Sequence, residues 1–101
     1  MISDNLLSTI IFSAKKPVLK KIIKSKMFNI VRVCLEKGLE IQPHTEPYAV
    51  FFFILDGSGI FTSKDGEFEL KKNDSIFIKA NEIRGIKSLE NLIILGVQDG
   101  H

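Results

Sequence analysis

From Met27 onward the chain is interrupted every few residues by Gly, Asp or Asn, which leaves no room for a helix longer than a few turns. The stretches between these breaks have the character of strands. Ile30, Arg32, Cys34 and Glu36 alternate with Val31, Val33 and Leu35, the period-two pattern of a strand with one buried face. Lys37-Gly38 makes a turn, and Leu39 to Gln42 leads into Pro43-His44. Tyr48 to Leu55 is an apolar run with three phenylalanines and no alternation, so it should be covered on both faces. Asp56-Gly57-Ser58-Gly59 ends that run. Ile60 to Ser63 and Glu67 to Leu70 flank Lys64-Asp65-Gly66, where Asp-Gly is a hairpin signal because both residues tolerate positive φ. Lys72-Asn73-Asp74 turns the chain again into a strand from Ser75 to Lys79. Ala80 to Gly85 reads as a loop, and Asn91 to Val97 as the last strand. About seven or eight short strands at near-regular spacing predict an all-β sandwich or barrel.

The first 26 residues follow a different rule. Leu6, Leu7, Ile10 and Ile11 fall on one helical stripe after a candidate N-cap at Ser3 or Asp4, so a short amphipathic helix is expected over residues 1–13. Ser13 to Pro17 breaks it. Pro17 to Lys26 is rich in β-branched residues and is read as a short strand, although Val18, Leu19, Ile22 and Ile23 also have helical spacing. A length of 101 residues suits a single domain over residues 1–101. Eight phenylalanines give so short a chain a usable core, since each buries a large area.

Charge and cysteine content narrow the partners. Residues 1–26 hold Lys15, Lys16, Lys20, Lys21, Lys24 and Lys26 against Asp4, a net +5, whereas the remainder carries −3. No arginine and only Phe12 accompany those lysines, so there is little to read or stack a base. A solvated segment or a charged sheet edge is the expected role, and no nucleic acid is expected as partner. The longest apolar run, Ala49 to Leu55, is too short to span a bilayer, so no membrane partner is expected. Cys34 is the only cysteine, which excludes an intrachain disulfide and points to a reducing compartment. With no basic start of the export type, the expected location is the cytoplasm. Cys34 itself reads as a small apolar filler, since no base is evident near it in sequence.

The segment from Gly38 through His44 and Glu46 to Gly57 resembles the first motif of the cupin family: a glycine, two closely spaced histidines, a glutamate and a closing glycine. Gly38 and His44 have the family separation, and Gly57 falls where the closing glycine belongs. A weaker echo of the second motif runs through Asn73-Asp74 and then Ile78 to Arg84. The resemblance covers nearly half the chain. It implies a double-stranded β-helix barrel of the cupin or jelly-roll type, here with the short N-terminal helix added.

In metal-binding cupins, two histidines and a glutamate from the first motif and a histidine from the second hold one metal. On this chain those positions carry His44, Glu46, Val50 and Arg84. Val50 cannot ligate, and a guanidinium stays protonated with no lone pair to give. His44 and Glu46 alone are too few for a tight site, so no metal and no cofactor are expected unless Glu82 or His101 lends a ligand. Two readings of the surviving residues stand side by side. In one, Glu46 neutralises Arg84 as a structural ion pair and His44 caps a turn. In the other, His44, Glu46 and Arg84 line a ligand pocket at one mouth of the barrel, where Arg84 grips an anionic group. The resemblance therefore points to a protein that binds a small molecule or serves as a scaffold. A metal-dependent isomerase, dioxygenase or sugar-processing enzyme is the alternative, and a regulatory domain separated from a DNA-binding partner is a third reading. A homodimer is expected, because the N-terminal stripe and the Tyr48 to Leu55 run leave more apolar surface than a lone barrel covers.

Overall fold

The computed structural model describes residues 5–7 and 9–101. Among the described residues nine strands run in chain order: β1 (Val18–Lys24), β2 (Phe28–Leu35), β3 (Glu40–Thr45), β4 (Val50–Asp56), β5 (Ser58–Ser63), β6 (Gly66–Lys71), β7 (Ser75–Ile78), β8 (Ile83–Ser88) and β9 (Leu92–Asp99). They form two antiparallel sheets, ordered β1-β2-β9-β4-β7 and β3-β8-β5-β6. The inward faces share one core. Val31, Val33 and Leu35 of β2 meet Val50, Phe52 and Ile54 of β4 and Leu92 and Ile94 of β9, with Phe61, Ile78 and Ile86 completing it. Alternation makes this possible, because residues two apart share a face of a strand.

Two expectations change. No helix occurs among the described residues, so the helix expected over residues 1–13 is not formed there; Ser3 and Asp4 lie outside those residues. The cause is tertiary. Arg32, buried on the outer face of β2, donates from Nη1 to the Leu6 carbonyl (3.0 Å) and to Thr9 Oγ1 (2.9 Å), and from Nη2 to the Thr9 carbonyl (3.0 Å). Carbonyls that a helix would use internally are spent on this guanidinium, and the local propensity loses. The second change is β8, which takes in much of the segment read as the Ala80 to Gly85 loop. Gly85 interrupts its pattern, and the reason for that glycine lies in the neighbouring strand.

β3 and β8 pair with a one-residue bulge. Ile41 lies opposite Ile86, and His44 lies opposite Arg84. Three steps along β3 thus match two along β8, so Ile41 and His44 share a face that strict alternation would deny them. Pro43 sits in the bulge directly against Gly85: a Cβ at Gly85 would lie 2.9 Å from Pro43 Cγ and 3.0 Å from its Cα. Because β3 is an edge strand, a proline can occupy it without breaking an internal ladder. Gly57, at φ 83°, turns the chain between β4 and β5, and a Cβ there would run into the Asn91 carbonyl.

Candidate functional site

The bulge in β3 brings His44 to the rim of a cavity inside the barrel. The cavity has a volume of about 320 Å³ and passes between the sheets from β1 to β8. Its walls are Leu19, Val31, Val33, Ile41, Val50, Phe52 and Ile86, with Pro17 and Gly85 at the margin. Four polar residues complete the lining: His44, Tyr48, Arg84 and Gln98. They lie together. His44 and Arg84 are register partners, Gln98 lies across from Val50, and the Arg84 guanidinium carbon is 5.2 Å from the centre of the Tyr48 ring. Beyond Phe52, the interior is closed by Ile54, Ile94 and Phe61, none of which is exposed.

Arg84 is the most constrained of the four, at 4 % exposure. Its Nη2 donates to the carbonyls of Tyr48 (2.9 Å), Lys79 (3.2 Å) and Glu82 (3.3 Å), and Nε donates to the Glu82 carbonyl (3.4 Å). Nη1 is buried and has no hydrogen-bond partner among the described residues. Among the described residues no carboxylate pairs with this guanidinium: Glu46 lies 3.3 Å from His44 Nε2, and Glu82 lies 3.1 Å from Lys64 Nζ. The Glu46–Arg84 ion pair of the first reading is not formed, since Glu46 contacts His44 instead, and Glu46, which the second reading placed in the pocket, does not line the cavity. His44 also uses its other nitrogen, Nδ1, toward the Gln42 carbonyl (2.9 Å). Both ring nitrogens thus face oxygen atoms.

Tyr48 is flanked by rings and charge. Its ring stacks on His101 with centroids 4.0 Å apart and planes 9° from parallel. Burial pushes the Tyr48 phenol above its ordinary value; the Glu46 carboxylate adds to the rise and Arg84 opposes it. The hydroxyl therefore stays protonated and able to donate. Neither Tyr48 nor Gln98 was singled out from sequence. The available signals were that Tyr48 is the only tyrosine, at the head of the apolar run, and that Gln98 breaks the inward series Leu92, Ile94, Gly96 of β9.

The chain's resemblance to a metal-binding family makes the donor set a direct test. Val50 and Arg84 occupy two of the four ligand positions and line the cavity beside His44. Glu82 is held by Lys64, and His101 stacks on Tyr48, so neither makes up the set. Among the described residues no group of three or more His, Cys, Asp or Glu side chains could hold a metal ion. The residues present do not fit a metal site.

The family model of the cupin domain matches residues 31–95. The chain belongs to the cupin family. Solved structures agree on the fold. An RmlC-like cupin from Desulfovibrio desulfuricans superposes with a TM-score of 0.90 at 20% identity, covering 98% of this chain and 96% of that one. TT1209 from Thermus thermophilus gives 0.91 at 16% identity over 99% and 98%, and KdgF from Halomonas sp. gives 0.78 at 14% identity over 82% and 77%. Among curated proteins none matches the sequence. At these identities the likeness to solved structures establishes the fold of this cupin and nothing about its ligand. No helix among the described residues is long and apolar enough to cross a membrane.

Proposed function

We propose that this cupin binds a small anionic molecule inside its barrel, with Arg84 as the anchor. One observation carries the reading: a guanidinium at 4 % exposure, with Nη1 unpartnered and no carboxylate among the described residues paired to it, lines a largely apolar cavity. A buried charge compensated only by carbonyl dipoles and a ring is costly, and an anionic ligand supplies the missing counter-charge. Tyr48 and Gln98 are within the same lining and offer neutral hydrogen bonds beside it. Thermal unfolding in the presence of a panel of carboxylates, phosphate and sulfate tests this. A ligand at 100 times its Kd adds about 2.7 kcal/mol, enough to raise the Tm by roughly 10 °C or more in a domain this size. Arg84→Gln and Arg84→Lys should remove or weaken that rise. Equal stabilisation of wild type and both variants by the same anion would overturn the reading.

We also propose that two copies associate through the outer face of the five-stranded sheet. The register lines up Ile30, Val97, Phe51 and Phe77 as one apolar row across four strands, with Leu95 and Phe53 in the next row. Phe51 is 40 % and Phe77 60 % exposed, so the run expected to be covered on both faces is open on one of them in the single chain. The strapped N-terminal segment adds exposed Leu7 and Ile11. Cys34 as a free buried thiol suits a cytoplasmic setting.

A further inference from the structure

The distribution of polarity within the cavity says more about the ligand than its charge. The polar groups sit together around Arg84, while the wall facing the core is hydrocarbon: Val31, Val33, Ile41, Phe52 and Ile86. Among the polar groups, His44 directs Nδ1 to the Gln42 carbonyl, and its Nε2 lies 3.3 Å from Glu46. Of the Arg84 nitrogens, only Nη1 is uncommitted. The site therefore satisfies one acceptor group at Arg84, with Tyr48 and Gln98 at hand, and little else. Among the described residues no Asp or Glu lines the cavity.

We infer that the ligand is a small monocarboxylate with a single apolar body, bound with its carboxylate at Arg84 and its hydrocarbon against Val31, Val33, Ile41, Phe52 and Ile86. This rests on the anion reading above and narrows it. A polyhydroxylated acid would press hydroxyls against hydrocarbon with no partner for them, which disfavours it. An α-amino acid would bring an ammonium into a lining with no carboxylate and an existing positive charge, which repels it. Size sets the upper bound. A cavity of about 320 Å³ holds roughly ten water-sized volumes at ~30 Å³ each, which corresponds to a carboxylate no larger than octanoate.

Isothermal titration of the wild-type protein with propanoate, butanoate, pentanoate, hexanoate and octanoate tests this without relying on any variant. Burial of each added methylene should tighten binding about fourfold, levelling off by octanoate. 4-Methylpentanoate should bind, whereas leucine, the same skeleton with an ammonium, should bind at least tenfold more weakly. Gluconate and galacturonate should also bind at least tenfold more weakly than hexanoate. A flat alkanoate series, or gluconate or leucine binding as tightly as hexanoate, overturns this inference and leaves the anion reading in place. Folded protein that takes up none of these carboxylates overturns this inference, and overturns the anion reading as well when phosphate and sulfate also leave the Tm unchanged.

Discussion

Replacing Gly85 by alanine probes the device that builds the site. The bulge at Gln42-Pro43 turns His44 to the same face as Ile41, and it closes onto Gly85. An alanine Cβ would lie 2.9 Å from Pro43 Cγ and 3.0 Å from Pro43 Cα and N. Two of those three contacts are backbone, so relief requires the bulge itself to move rather than a side chain to rotate. Overpacking of this kind costs about 1–3 kcal/mol. Loss of glycine's freedom in the unfolded chain offsets about 0.4–1 kcal/mol of that. The midpoints of these ranges leave a net loss of about 1.3 kcal/mol, a Tm lower by roughly 5–10 °C, read by circular dichroism on heating. Pro43→Ala in the Gly85→Ala background removes only the Cγ contact and should recover less than half of the loss. A Gly85→Ala Tm within about 2 °C of wild type would refute the claim that the Pro43–Gly85 contact sets the bulge.

Three further outcomes follow from the same geometry. Ser88 is 2 % exposed and its Oγ lies 2.6 Å from the Glu36 carbonyl, to which it donates, and 3.2 Å from the Leu39 carbonyl, so Ser88→Ala should cost about 1–3 kcal/mol in denaturant unfolding with an unchanged m-value. Arg84→His combined with Val50→Glu puts a histidine and a glutamate at two family ligand positions in the cavity beside His44, with Glu46 standing at the remaining one, and should create nickel or zinc binding of micromolar Kd or better by calorimetry, where wild type has none. Light scattering at high protein concentration should give twice the 11.4 kDa chain mass, and Phe51→Lys with Phe77→Lys should return it to that of one chain; a wild-type monomer would contradict the proposed sheet-to-sheet association.

The strand pattern was largely legible, because alternation in β2 and the Asp65-Gly66 hairpin are local signals that tertiary structure had no reason to override. β1 was legible from its β-branched residues despite competing helical spacing. The N-terminal helix failed because its stripe of Leu6, Leu7, Ile10 and Ile11 is a local signal, while the partner that claims the Leu6 and Thr9 carbonyls is Arg32, a strand away and unrelated in sequence. β8 was missed because Gly85 reads as a breaker until Pro43 is seen against it. At the candidate site, the motif positions His44 and Arg84 are register partners, but of the two readings left open for Glu46 neither anticipated its contact with His44, since the bulge that decides which face His44 occupies leaves no periodic trace. Gln98 joins them only through the pairing of β9 with β4, opposite Val50, and Tyr48 only through the turn that precedes β4, which brings its ring 5.2 Å from the Arg84 guanidinium carbon.

In the proposed function of this cupin, a guanidinium rather than a metal ion supplies the positive charge that holds the ligand. Titration of hexanoate into protein stripped with a chelator, with the chelator kept present throughout, tests that most directly. The expected result is one-to-one binding with a Kd equal to that of untreated protein and lost in Arg84→Gln. Binding that disappears in chelator and returns with a stoichiometric divalent metal would contradict it.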